Sequence, residues 1–120
     1  LHYHEPLYNE GELEGEGMAD WTAGYVTDVA YTFGYYSELN PLRSKLALLN
    51  RRLHCPDFET GCELGFGQGI SVNIHAAASS AAWVGTDFNP AHAAFAQELS
   101  VAANLGARLF DDSFEQFAAR

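Results

Sequence analysis

The chain is expected to fold as an α/β protein around a parallel three-stranded sheet in the order 3-2-1, flanked by helices and preceded by two more. Three observations predict this. Short apolar runs at 62–64, 82–86 and 107–110 alternate with longer helical stretches. The connections between them are short, as in parallel sheets with right-handed crossovers. Three glycines, Gly65, Gly67 and Gly69, directly follow the first run, at the carboxyl end of a strand where such sheets hold ligands.

Residues 1–17, LHYHEPLYNEGELEGEG, mix Gly, Glu and Asn without hydrophobic periodicity and are expected to form a disordered acidic leader before Met18, the single methionine. His2 and His4 lack a third ligand and are read as incidental. Asp20 suits the cap of a helix through WTAGYVTDVAYTF, where Trp21, Tyr25, Val29 and Phe33 recur at fours and Gly34 permits a break. Asn40-Pro41 pairs a cap with a first-turn proline and opens LRSKLALLNRRL, with Leu42, Leu46, Leu49 and Leu53 on one face. After a loop containing Pro56 and Gly61 comes the first strand, Cys62 to Leu64, with Thr60 as its earliest start. ISVNIHAAASS is a helix beginning near Gly69, and AWVGT the second strand. Asn89-Pro90 repeats the cap-plus-proline signature before AHAAFAQELSVAANL, which Gly106 is expected to end. Ala107 to Phe110 is the third strand, and SFEQFAA starts another helix. The folded part is expected to span 18–120.

With 120 residues, 48% of them hydrophobic, one domain can bury roughly two thirds of its unfolded surface. The net charge of -10 repels phosphate backbones, so general nucleic-acid binding is not expected. Arg43, Lys45, Arg51 and Arg52 cluster in one helix and are read as a solvated face. Cys55 and Cys62 match neither a CxxC pair nor a zinc spacing and are read as unpaired thiols of a reducing, cytoplasmic compartment; no metal is expected. Neither a signal-peptide pattern nor an apolar run long enough to span a bilayer is present, so membrane association is not expected.

CELGFGQGIS carries the chemistry. A strand, a glycine turn and a helix amino end let a ligand approach bare backbone, with the helix dipole favouring its anionic part. A sharp strand-to-helix turn alone is an equal explanation of the glycines. Their GxGxG spacing departs from the dinucleotide fingerprint GxGxxG, whose third glycine would fall at Ile70, and no Gly-Lys-Ser/Thr follows. An NAD(P) site is therefore disfavoured. Glu63 lies in an otherwise apolar strand, where an unpaired carboxylate is costly; it is either a ligand-facing acid or a partnered core acid. Asp87 ends the second strand, where an acid can bridge ribose hydroxyls; helix capping, its other reading, already has Asn89.

CELGFGQG, then WVGTDFNP, then ARLFDDSFEQF resemble motifs one to three of the class I, Rossmann-like S-adenosylmethionine-dependent methyltransferases. The preceding helical segment with YTFGYYSELNP is similar to bacterial members that also carry a methyltransferase regulatory domain. The likeness covers about Met18 to Arg120 and implies S-adenosylmethionine as cofactor. It implies that Glu63 orients the methionine ammonium through the loop or water. Gly65, Phe66, Gly67 and Gly69 would form the turn against the cofactor, and Asp87 would hold the ribose hydroxyls. Phe88 would pack on adenine or in the core, and Asp112, Ser113 and Phe114 match the segment at adenine's edge, with Asp111 as the alternative acid. Tyr31, Tyr35 and Tyr36 would close the pocket or pack. His75 and His92 have no acid paired with them in the pattern and are read as solvated or packed rings.

A complete class I domain has a seven-stranded sheet, and the residues that select the acceptor usually follow its fourth strand. The resemblance therefore implies a partial fold: the cofactor half of a methyltransferase, with an unidentified acceptor and an open edge on the first strand through which self-association is expected. A non-catalytic module that binds or senses S-adenosylmethionine or S-adenosylhomocysteine, or an inactive fragment, is the alternative.

Overall fold

The computed structural model describes Thr22, Gly24 and residues 30–120. The expected acidic leader and most of the expected first helix lie outside the described residues. Ala30 to Phe33, the end of that helix, are not helical. Backbone there is engaged elsewhere, the Tyr31 carbonyl accepting from Gln68 Nε2 at 3.2 Å, and in the turn that follows Tyr36 N–H donates to Ser71 Oγ at 3.0 Å. The segment thus lies along the glycine turn and the helix after it, and leads into a short 3-10 turn at Ser37–Leu39.

Helix α1 (Pro41–Asn50) starts where Asn40 Oδ1 accepts the Leu42 N–H, with proline in the first turn. It ends three residues earlier than its leucine pattern suggests. Arg52 takes φ 56° and the Leu53 N–H closes on the Leu48 carbonyl, a left-handed stop built without glycine. The stripe of Leu42, Leu46, Leu49 and Leu53 is exposed, not buried.

Strands β1 (Thr60–Leu64), β2 (Ala82–Thr86) and β3 (Arg108–Phe110) pair in parallel in the order β1-β2-β3, with Glu63 beside Gly85 and Gly85 beside Leu109. This is an open α/β sheet, and β1 and β3 are its edges among the described residues. Helices α2 (Ile70–Ala78) and α3 (Pro90–Ala102) are the crossovers, and α4 (Phe114–Ala118) follows β3. Asn89 caps α3 through the Ala91 N–H. Ser113 and Gln116 form a reciprocal capping box on α4. The stop of α3 differs from expectation. Asn104 takes φ 53°, and the Asn104 and Leu105 N–H groups bond to the Val101 and Ser100 carbonyls. Asn104, whose short polar side chain tolerates this backbone, does the work expected of Gly106, which bends the loop before β3.

Among the described residues the core is Phe66, Val72, Trp83, Ala93, Ala96, Ala107 and Leu109. Polar side chains tie its layers together. Ser100 and Gln97 of α3 bond to the backbone of Ala107 and Leu109, fixing β3 against α3. Asn73, 3% exposed, donates to the Gly69 and Ala96 carbonyls at 2.9 and 3.0 Å and so pins the glycine turn to α3. Asn73→Ala is expected to lower stability by about 1–2 kcal/mol, because two buried hydrogen bonds go and no side chain replaces them; denaturant unfolding measures it. No helix among the described residues is long and apolar enough to cross a membrane.

Candidate functional site

The carboxyl ends of the three strands meet on one side of the molecule. There β1 delivers the turn Gly65–Gly69, β2 delivers Asp87 and Phe88, and β3 delivers Asp111 to Phe114. Gly65, Gly67 and Gly69 take φ of 67°, 57° and 71°, left-handed backbone that side-chain-bearing residues rarely adopt. The turn is closed by Gly65 N–H to the Thr86 carbonyl and Gly69 N–H to the Phe66 carbonyl.

Asp87 is the hub. It is 7% exposed; Oδ2 accepts the Gly67 N–H at 2.8 Å and Oδ1 accepts the Asn89 N–H at 3.0 Å. One carboxylate therefore holds the glycine turn of β1 and the start of α3 together. His92, one turn into α3, brings Nδ1 to 3.4 Å from Asp87 Oδ1. The reading of His92 as a ring without an acid is corrected by the fold: the pair is five residues apart in sequence and one helical turn apart in space.

The room left by the glycines is partly used by the protein itself. A Cβ on Gly69 would fall 2.3 Å from Ala96 Cβ, so this glycine serves the close approach of the turn to α3. A Cβ on Gly67 would fall 2.8 Å from the Tyr31 ring, which stands over the turn with its edge toward His92 at 6.3 Å between centroids. A Cβ on Gly65 would meet only Phe114 among the described residues, in ordinary contact at 3.9 Å. Of the three tyrosines, Tyr31 alone covers the turn. Tyr35 accepts from Asn40 and lies against His75, while the Tyr36 hydroxyl pairs with Thr32.

Phe66 buries its side chain in the core, beside Gly85, and contributes backbone to the turn. Phe88 is half-buried. Asp112 is gripped by the Arg120 guanidinium through both carboxyl oxygens, and this hydrogen bonding holds its carboxyl below the usual range. Arg120 also lies 4.0 Å over the Phe110 ring. Asp111 is exposed, Ser113 caps α4, and Phe114 is exposed. Thr86, fully buried, ties β2 to β3 by donating to the Asp112 carbonyl at 2.6 Å. A threonine directly before the strand-end acid was the available signal for it.

Glu63 faces another direction. Its carboxyl lies 3.7 Å from His75 Nδ1 on α2, and it lines a cavity that includes neither Asp87 nor the glycine turn. His75, too, thus gains an acidic neighbour that the linear pattern does not reveal. Burial pushes the Glu63 carboxyl up from 4.5 to about 7 and the His75 ring down. The folded chain therefore holds a proton on Glu63 that the unfolded chain releases above pH 4.5. Stability from this group is present below that value and is lost as pH rises through about 7. Glu63→Gln is expected to flatten that decline and to be more stable than the parent at pH 8, as read by denaturant unfolding at pH 5 and 8.

The site is thus a glycine turn, an acid and a strand-end loop at the carboxyl-terminal edge of an open α/β sheet. One relative gives the comparison with known proteins: the chain is similar, 41% identical over 102 residues, to the uncharacterized protein sll1526 of Synechocystis sp. (strain ATCC 27184 / PCC 6803 / Kazusa). The match takes in 81% of this chain and 20% of the relative, so the chain spans about a fifth of that protein's length. No family model and no solved structure matches.

Proposed function

We propose that the chain is the cofactor-binding half of an S-adenosylmethionine-dependent methyltransferase, working in the cytoplasm on an acceptor that this half does not select. The observation that carries the reading is the 2.8 Å hydrogen bond from Gly67 N–H to Asp87, which joins the glycine turn and the strand-end acid into one unit. The resemblance of CELGFGQG, WVGTDFNP and ARLFDDSFEQF to the methyltransferase motifs supports it.

The residues fit the group. A carboxylate has about four acceptor positions. Two on Asp87 are taken by backbone N–H groups and His92 Nδ1 stands 3.4 Å from Oδ1, so two ribose hydroxyls are accepted once His92 turns away from Oδ1. Gly65, where an added Cβ would meet only Phe114 among the described residues, would let the ligand reach backbone, and Phe88 and the Asp111–Phe114 loop would hold the base. Entry requires the Tyr31 ring, more than half exposed, to leave Gly67. Bound S-adenosylmethionine supplies an activated methyl group on sulfur, whose departure needs no protonation. The work of the chain's own residues is orientation: holding the sugar at Asp87 and fixing the turn through Asn73.

Calorimetry with S-adenosylmethionine, S-adenosylhomocysteine and NAD tests the reading. Binding of the two sulfur nucleosides without NAD is expected; NAD binding alone, or no binding at all, overturns it. A methyl-acceptor assay then separates a catalyst from a module that only senses the nucleoside. Self-association through the open edge of β1 belongs to the same reading, and a strictly monomeric species in light scattering at high protein concentration excludes it.

A further inference from the structure

Away from the glycine turn, a cavity of about 910 Å³ lies between β1, α1, the loop ahead of β1 and the last turn of α2. Leu39, Leu42, Phe58, Leu64 and Trp83 give it apolar walls. Glu63 and His75 line it from β1 and α2.

These two side chains are poorly matched to their surroundings. The Glu63 side chain is 11% exposed, and no Lys or Arg among the described residues pairs with it. The nearest ammonium on the rim, Lys45, is set against Asp57 at 3.7 Å. His75 is 3% exposed in its side chain, and neither ring nitrogen has a hydrogen-bond partner among the described residues. A buried carboxyl without a cation and a buried imidazole without a partner are both costly. Each is relieved by one event. When a cation sits against Glu63, the carboxylate form is favoured, and a neutral His75 carrying its proton on Nδ1 donates it to Oε2 after a small side-chain rotation from 3.7 Å. Trp83, 6% exposed, packs its ring against His75 at 5.1 Å between centroids and so holds the imidazole beside Glu63, while the Phe58 ring stands edge-on to it at 6.4 Å and closes the apolar wall.

We propose that this cavity binds a small organic ammonium ion with an apolar body, its charge set against Glu63, and that His75 is the positioning residue that holds the carboxylate. The site is separate from the one proposed for the nucleoside and does not rest on it.

Calorimetry on the full chain with 2-phenylethylammonium as probe, and uncharged 2-phenylethanol as its isostere, tests the proposal. The amine remains charged across the range used, since alkylammonium groups titrate near about 10. The carboxyl titrates at about 7. Saturable amine binding at pH 8 is therefore expected, roughly tenfold weaker at pH 6, where about one Glu63 in ten is ionised. The other titratable groups facing the pair are Cys55, Cys62, Lys45 and Asp57 on the cavity wall and Tyr35 against His75. Burial, then the Glu63 charge, pushes the Cys62 thiol up, so it stays protonated. Glu63→Gln is expected to abolish amine binding. His75→Phe is expected to move the midpoint of the pH dependence upward, which loss of packing alone would not do. Equal binding of the alcohol, retention of the amine by Glu63→Gln, a flat pH profile in the parent chain, or no saturation at pH 8 would each overturn the site. An unmoved midpoint in His75→Phe would remove His75 from it. The parent pH profile needs no variant to fold.

Discussion

In Asp87→Ala, S-adenosylhomocysteine binding is expected to fall by at least about a hundredfold, and thermal stability with it. Two hydrogen bonds from ribose hydroxyls to a carboxylate are worth about 1.5–3 kcal/mol each, and 1.4 kcal/mol is tenfold in affinity. The stability loss has a separate origin, because the same carboxyl accepts the Gly67 and Asn89 N–H groups inside the protein. Calorimetry and thermal unfolding on the same samples keep the two effects apart. Asp87→Asn sharpens the separation: its amide oxygen still accepts a backbone N–H, so stability is expected to recover more than binding. If either variant lost stability and bound the nucleoside as tightly as the parent, Asp87 would be a clasp for the turn only, and the ribose assignment would fall.

The second large effect is expected at Gly69. Gly69→Ala must hold an alanine at φ 71° and place its Cβ 2.3 Å from that of Ala96. The left-handed backbone costs about 1–2 kcal/mol and forced overpacking about 1–3 kcal/mol more. A loss of roughly 3 kcal/mol, or more than about 10 °C in melting temperature, is a large part of a small domain's stability. Gly65→Ala is the internal control. It shares the left-handed backbone but has its nearest side-chain neighbour at 3.9 Å, so only the backbone part of the loss is expected. Adding Ala96→Gly to Gly69→Ala removes the methyl group that is struck and should restore part of the stability, as measured by a double-mutant cycle. Equal losses at positions 65 and 69 would show that the approach of α3 to the turn is not what the third glycine serves.

The strands at 60–64, 82–86 and 108–110 and the starts of α1 and α3 follow from local chemistry, because an apolar run between breakers and an Asn-Pro cap act within a few residues. The stops of α1 and α3 do not. Arg52 and Asn104 take left-handed backbone where glycine would be the local expectation. The end of the expected first helix also fails locally: Tyr31 spends its carbonyl on Gln68, 37 residues away. Asn73 gave only a faint signal, a single amide among apolar and small residues, although it holds the turn to α3.

By itself, the sequence determined that three short strands alternate with helices, that a glycine turn follows the first, and that an acid ends the second, since each rests on residues adjacent in the chain. Only the tertiary structure decided what those residues face. It put Ala96 into the space beside Gly69 and Tyr31 over Gly67, closed Asp87 onto the turn, and turned Glu63 toward His75. The physical reason is that side-chain environment is set by the crossover helices, which bring together atoms far apart in the chain. No local pattern records which neighbour will arrive.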